Sequence, residues 1–217
     1  MRREDFLARV GRSVMSATLP DIPALDSEMP TLPPTDLVAL FRERIREVDG
    51  VAHGPVGRTA VPKVVSGIAA GHASSRYLAW DDLPVPGVTS GLDREGLERV
   101  DHEVPEQDRK AHQVTYESVD LGVTGAEAGL AESGSVVLSH GPGRPRMASL
   151  IPDVHVVLLH VNRMARTISD LARRHPEWVS ETANLVFVTG PSRTGDIELH
   201  LNLGVHGPRH VHVVMYQ

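Results

Sequence analysis

Cysteine is absent from all 217 residues. That excludes disulfides, a thiol nucleophile and an iron–sulfur cluster held by this chain alone, since such clusters take thiolate ligands. It also fits a reducing compartment. Aromatic residues are scarce, with two Trp, three Tyr and three Phe. The interior must therefore be aliphatic, and short runs of Val, Leu, Ile and Ala suit buried strands better than an aromatic-rich sandwich. A basic excess is also lacking: 22 Lys and Arg against 28 Asp and Glu leave a net charge of −6, which argues against a general nucleic-acid binder. No apolar run approaches the ~20 residues that a bilayer requires. The best, Val154 to Val161, is interrupted by His155 and His160. The amino terminus has basic residues but no continuous apolar core of a signal peptide. A cytoplasmic, soluble protein is the expectation.

What is present is enough for one well-buried core, with 41% hydrophobic residues. Residues 1 to 16 read as a helix with Phe6, Val10 and Val14 on one face. The Pro-rich stretch Leu19 to Pro34 that follows cannot be regular helix and reads as extended. Residues 1–34 are thus expected to form a helix and an arm, either packing on a neighbour or lying on the surface, ahead of a single α/β domain over 35–217. Thr35 or Asp36 can cap a second helix ending before Gly50, with Leu37, Phe41, Ile45 and Val48 as its buried stripe. A strand and a helix are expected between Gly50 and Gly71, then a strand at Tyr77–Trp80 and an exposed loop over Asp81-Asp-Leu-Pro-Val-Pro-Gly87. The charged run from Asp101 to Lys110 reads as a solvated helix end or loop.

The second half reads more cleanly. Short β-type runs recur at Val119–Thr124, Ser135–Ser139, His155–His160, Leu185–Thr189 and His210–Tyr216, and a helix with Met164, Ile168 and Leu171 is expected over Arg163–Arg174. Such alternation implies a partly parallel sheet covered by helices. Two loops then stand out, Gly190-Pro-Ser-Arg-Thr-Gly195 and Gly204-Val-His-Gly-Pro-Arg209. Small, polar and cationic residues straight after an apolar run are how an α/β protein builds an anion site at the carboxyl end of a strand.

Four ordered blocks carry a resemblance. Leu121-Gly-Val-Thr-Gly-Ala-Glu-Ala-Gly-Leu-Ala-Glu-Ser-Gly-Ser-Val-Val-Leu138, Ser149-Leu-Ile-Pro152, Thr189 to Glu198 and Gly204 to Arg209 resemble the lactate-utilisation protein C family, also called the LUD domain. Ser133 and Ser135 stand where that family often has Thr, and Gly195 where it has Ala. The resemblance implies an α/β three-layer sandwich with a mixed, mostly parallel sheet, similar to CoA transferases and ribose-5-phosphate isomerase. It further implies a cytoplasmic component of a system oxidising L-lactate to pyruvate, in which partner proteins carry the iron–sulfur centres and this chain binds no cofactor alone. The missing cysteine agrees with that division.

Several residues are candidates for a site. Ser192, Arg193 and Thr194, with backbone N–H groups of their loop, can grip a carboxylate or phosphate, or else form a turn that caps the next segment. Asp196 joins them in the same block. Asp196, Glu198 and His200 alternate on one face of an extended segment and, with His206, His210 and His212 nearby, could form an oxygen–nitrogen metal site. Period-two polar residues also describe an exposed strand face, and no metal is assigned. Glu132 sits in the sharp turn Leu-Ala-Glu-Ser-Gly-Ser. The resemblance suggests for it the acyl-accepting role of the carboxylate in CoA transferases; otherwise it orients the neighbouring loop. Arg144 and Arg146 follow another strand end, Arg146 being preferred for a cationic pocket shared with Arg193 and Arg209 and the alternative being a solvated hairpin tip. His206 is the candidate proton-transfer group. The functional expectation is an accessory, ligand-binding subunit for a small anion. Its rivals are an autonomous CoA-transferase-like or sugar-phosphate-acting enzyme using Glu132 or Asp196, and a scaffold with an empty pocket.

Overall fold

Turn residues punctuate aliphatic runs along most of the chain, and each run becomes a strand. The structure, a computed structural model, describes residues 3–15, 34–102, 116–178, 184–195, 201–204 and 206–217. Backbone contacts divide the chain into two units, residues 1–31 and 32–217. The first contains helix α1, Arg3–Met15. The rest of the Pro-rich stretch before Pro34, and most of the charged run after Asp101, lie outside the described residues.

The second unit is built on a six-stranded sheet. In chain order its strands are β1 (Val51–Val56), β2 (Arg76–Ala79), β3 (Glu98–Arg99), β4 (Leu121–Gly125), β7 (Val154–His160) and β12 (His210–Tyr216); in space they run β1-β12-β7-β4-β2-β3. Every neighbouring pair is parallel. A second sheet, in the order β8-β5-β6-β9, is mixed: β5 (Ala128–Leu130), β6 (Ser135–Ser139) and β9 (Leu185–Val188) pair antiparallel, while β8 (Met164–Ala165) runs parallel to β5. Strands β10 (Arg193–Gly195) and β11 (Leu201–Leu203) pair antiparallel and complete the strands among the described residues.

Helices α3 (Val61–Gly71) and α4 (Val88–Arg94) cover one face of the large sheet, burying Val61, Val65, Val88 and Leu92 against Tyr77, Val123, Val156 and Val214. The other face packs on α2 (Pro34–Glu47), through Leu37, Phe41 and Ile45, and on Val136 and Leu138 of the second sheet. The far side of that sheet holds α5 (Ile168–Arg174) by Leu171 against Ala128, Leu130 and Val137. Parallel strands covered on both faces read as predominantly apolar runs, which is why they stood out in the sequence even where histidines interrupt them. Two glycines fix how the layers meet. A Cβ on Gly122 would lie 1.8 Å from the carbonyl oxygen of Ala148, and Gly134, at φ +66°, packs its backbone on Ile45 of α2.

Two expectations need correction. Helix α2 begins at Pro34, so Thr35 and Asp36 fall in its first turn rather than at its cap; Pro suits that position because its missing N–H has no intrahelical partner there. The helix expected over Arg163–Arg174 is only its second half. Met164 and Ala165 pair with β5 instead, and Ile168 is exposed. Helix α4 begins at Val88, directly after the loop expected over residues 81–87, which holds no regular element.

Candidate functional site

The two loops singled out in the sequence do meet. Ser192 donates its backbone N–H to Pro208 O at 2.8 Å, and Gly204 N–H reaches Ser192 O at 2.9 Å. They do not sit at the carboxyl end of the parallel sheet, however. The first follows β9 of the second sheet, while the second leads into β12, where the N–H groups of Arg209 and His210 both donate to Asp153 O just ahead of β7. They therefore lie at the amino ends of β7 and β12. Arg193 is already ion-paired with Asp49 at the end of α2, and Arg209 faces Asp153 at 3.5 Å. His206 and Arg146 are exposed, and Glu132 pairs with Arg166 at 2.7 Å. Thr194 lies in β10, and Asp196, Glu198 and His200 fall outside the described residues. Ser192 and Arg209 are thus joined through their loops, whereas Glu132 and Arg193 are each committed to a separate ion pair.

The carboxyl ends of the parallel strands hold a different constellation. The chain leaves β2 toward β3 at one edge and leaves β4 toward β7 on the other side. Its path diverges between β2 and β4, and open α/β sheets bind ligands at such a switch point, outside the carboxyl ends. Trp80, Asp81 and Asp82 follow β2 directly, and Glu127 follows β4. The loop after β6 folds over them, its Gly143 carbonyl accepting from Asp81 N–H at 2.9 Å.

That loop delivers Arg144. Its guanidinium lies 5.1 Å from the Trp80 ring centre, within cation–π range. Nη1 bonds Glu127 Oε1 at 2.5 Å, while the Nε/Nη2 edge grips Asp82, with Nε at 3.0 and 2.8 Å from its two oxygens and Nη2 at 2.6 Å. Arg163 donates to the other Glu127 oxygen at 2.9 Å and to Ala126 O at 3.1 Å. The two carboxylates differ in exposure: the Glu127 side chain is 19% exposed and that of Asp82 54%. Hydrogen bonds to Asp82, then to Glu127, raise the Arg144 pKa against the desolvation that opposes them, so its charge is permanent. Next to this network, Asp81 pairs with Arg99 at 2.8 Å and with His102 at 3.0 Å.

Two cavities open at these strand ends. One, of ≈ 480 Å³, is lined by Asp81, Arg99, Val100, Asp101 and His102. The other, of ≈ 200 Å³, lies beside α5; Ala128, Ala165 and Leu171 give it an apolar wall, and Glu127, Asn162, Arg163 and Arg174 a polar one. Trp178, stacked on His175 at 4.2 Å, also lines it. Among the described residues no group of three or more His, Cys, Asp or Glu is placed to hold a metal ion, and no helix is long and apolar enough to cross a membrane.

Sequence reasoning missed Asp82 and Glu127 and preferred Arg146 to Arg144. Each of the two acids sits within three residues of a strand end, but only the strand order brings them to one Arg. Below the site lies a second polar group: His155, wholly buried on β7, takes Thr124 Oγ1 as its partner at 2.9 Å and leaves Nδ1 unpartnered. Burial, and then the neighbouring His140, hold its pKa down at about 3.

The comparisons with known proteins agree with this architecture. A crystal structure of a DUF162 family protein from Deinococcus radiodurans superposes with a TM-score of 0.66 at 21% identity, covering 86% of this chain and 100% of that one. The protein named lactate utilization protein C of Halalkalibacterium halodurans is 30% identical over 95% of this chain and 94% of its own length. That of Deinococcus radiodurans is 26% identical over 97% and 93%. The family model described as the LUD domain matches residues 76–216, well over half of the chain and including both the loop pair and the switch-point crevice. The chain belongs to the LUD domain family.

Proposed function

We propose that this protein serves lactate utilisation as a subunit that binds a small carboxylate, alongside iron–sulfur proteins that carry the electrons. The names of relatives similar over nearly their whole length support the pathway. The lack of cysteine supports the division of labour, because the chain offers no thiolate for a cluster.

The observation that carries the ligand reading is the setting of Arg144. Glu127 and Trp80 fix one side of its guanidinium, and the bidentate edge faces an exposed Asp82. Planar, forked donors of this kind match a carboxylate. A 2-hydroxy or 2-oxo acid takes the place of Asp82 on that edge, and the displaced Asp82 returns to water at small cost because it is already half exposed. Glu127 stays, less exposed and held by both Arg144 and Arg163, and keeps the guanidinium aimed. Of the two cavities at these strand ends, the one of ≈ 200 Å³ that Glu127 lines is below the ~300–1,000 Å³ of sites for drug-sized ligands and suits a short aliphatic acid. The one of ≈ 480 Å³ beside Asp81 has room for a larger ligand.

Glu132 weighs against the CoA-transferase alternative. A nucleophilic carboxylate needs partial desolvation, and Glu132 is 40% exposed and ion-paired with Arg166. The test is a thermal-shift screen of the pure protein against L-lactate, pyruvate, acyl-CoA and phosphosugars, followed by reconstitution with the iron–sulfur partner proteins. Stabilisation by the small acids, and lactate oxidation that requires this chain, is the expected result. Partner proteins that oxidise lactate fully without it contradict the subunit reading.

A further inference from the structure

At the amino ends of β1 and β12, away from the crevice, four histidines come together. His53 stands on β1, His210 and His212 on β12, and His72 just after α3. His212 is the middle of a linear chain: its Nδ1 lies 3.0 Å from His53 Nε2, and its Nε2 lies 3.0 Å from His72 Nε2. The His210 ring is 4.6 Å from that of His72. These nitrogens point at one another, not at a common centre where an ion could sit.

Proton counting shows what such a chain tolerates. A neutral imidazole has one donor and one acceptor nitrogen. Three neutral rings therefore complete both contacts with one N–H each, running in either direction. One added proton gives His212 two donors facing two acceptors, and both contacts survive. A second added proton forces two N–H groups to face each other across one 3.0 Å gap, with at least one of the two rings a cation.

We infer that the His53–His212–His72 chain is a proton-sensitive clasp, which ties edge strand β1 and the end of α3 to β12 and lets go when it takes its second proton. The clasp joins three elements distant in sequence, and among the described residues β12 is the one sheet neighbour of β1. Other charged and titratable groups facing it are His210, Asp153 ahead of β7, and Arg209, which pairs with Asp153. The residues of α3 and β7 buried on this face, Ile68, Ala69, Val154 and Val156, carry no charge. Asp153 favours a charged His72, while His210 opposes it. Because β12 starts directly after the Gly204–Arg209 loop, opening the clasp also loosens the base of that loop.

Burial supports the assignment. It is the first cause that lowers His53, His72 and His212, and the neighbouring rings add to it at His212, which is held at about 4. With folded-state values below the ordinary 6.5, the unfolded chain binds more protons beneath that pH, and stability falls as pH drops from 6.5 toward 4.

Two measurements on the full chain test the clasp. The first is hydrogen exchange, corrected for intrinsic rates, at pH 7.5 and pH 5. Amides of residues 51–56 and 210–212 should lose protection at the lower pH, while those of 156–159 in the centre of the sheet keep theirs. The second is the pH dependence of the unfolding constant for wild type and His212→Phe. Each proton bound on unfolding contributes about tenfold per pH unit, so the variant should show a slope between pH 6.5 and 5 shallower by about one proton. His155 contributes equally to both proteins and cancels. Equal slopes, or unchanged protection at 51–56 and 210–212, overturn the proposal. Should His212→Phe not fold, imidazole NMR titration of the wild type decides: stepwise, depressed titration of His53, His72 and His212 supports the clasp, and three independent titrations near 6.5 overturn it.

Discussion

The guanidinium of Arg144 rests over the indole of Trp80, 5.1 Å from the ring centre, although 64 positions of sequence separate the two residues. Trp80 is itself buried, and its Nε1 donates to the carbonyl of Pro145 at 3.4 Å, so one indole holds both the loop and the cation that the loop carries. This locks the only bidentate Arg of the switch-point crevice among the described residues. Trp80→Leu should leave the fold intact but loosen Arg144, raising the dissociation constant for small carboxylates several-fold. Cation–π contacts contribute ~0.5–2 kcal/mol, and calorimetric titration reads that loss directly.

Gly122 is where the turn Arg146–Ser149 crosses β4. Gly122→Ala drives a methyl into the Ala148 carbonyl and must displace the turn. Overpacking of this kind costs at least ~2 kcal/mol, or roughly 4–8 °C in Tm for a chain of this size. Differential scanning calorimetry checks it, and because the same turn borders the Arg144 loop, ligand affinity should fall as well.

Thr124 and His155 give a prediction in which two changes cost less than one. Thr124→Val removes the partner of a wholly buried ring that already has one unpartnered nitrogen. That should cost ~1–3 kcal/mol by urea unfolding. Thr124→Val combined with His155→Leu replaces both polar groups by apolar ones of similar size and should be the more stable of the two proteins.

Glu132→Gln should change stability by less than ~1 kcal/mol, as expected of an exposed ion pair. It should also leave carboxylate binding unaltered, since Glu132 is bonded to Arg166 rather than to the Arg144 network. Loss of a covalent acyl adduct, detected by mass spectrometry in wild type after incubation with acyl-CoA and absent in the variant, would instead restore the CoA-transferase alternative.

Much of this fold was legible in the sequence, and for a physical reason. Strands such as Val154–His160 and His210–Tyr216 are buried along nearly their whole length, so they appear as mostly apolar, Val-rich runs in spite of the histidines within them. The error at Arg163–Arg174 arose because Met164, Ile168 and Leu171 have helical spacing, while a two-residue strand such as Met164–Ala165 leaves no periodic trace. The site was harder. Asp82 lies 62 residues from Arg144 and Glu127 lies 17 away, and no local pattern links them until the sheet order places β2 beside β4. The Gly-Pro-Ser-Arg loop was conspicuous because its residues are contiguous, whereas the pairing of Arg193 with Asp49 is again a contact that only the fold supplies.

The most direct measurement of the central claim is calorimetric titration of L-lactate and pyruvate into wild type, Arg144→Gln, Asp82→Asn and Arg193→Ala. Arg144→Gln should weaken binding at least tenfold, since a charge-assisted hydrogen bond is worth ~1.5–3 kcal/mol. Asp82→Asn should tighten it, because the competing carboxylate is gone, and Arg193→Ala should leave it unchanged. Wild-type affinity in Arg144→Gln together with lost binding in Arg193→Ala contradicts the account and moves the ligand to the loop pair at the amino ends of β7 and β12.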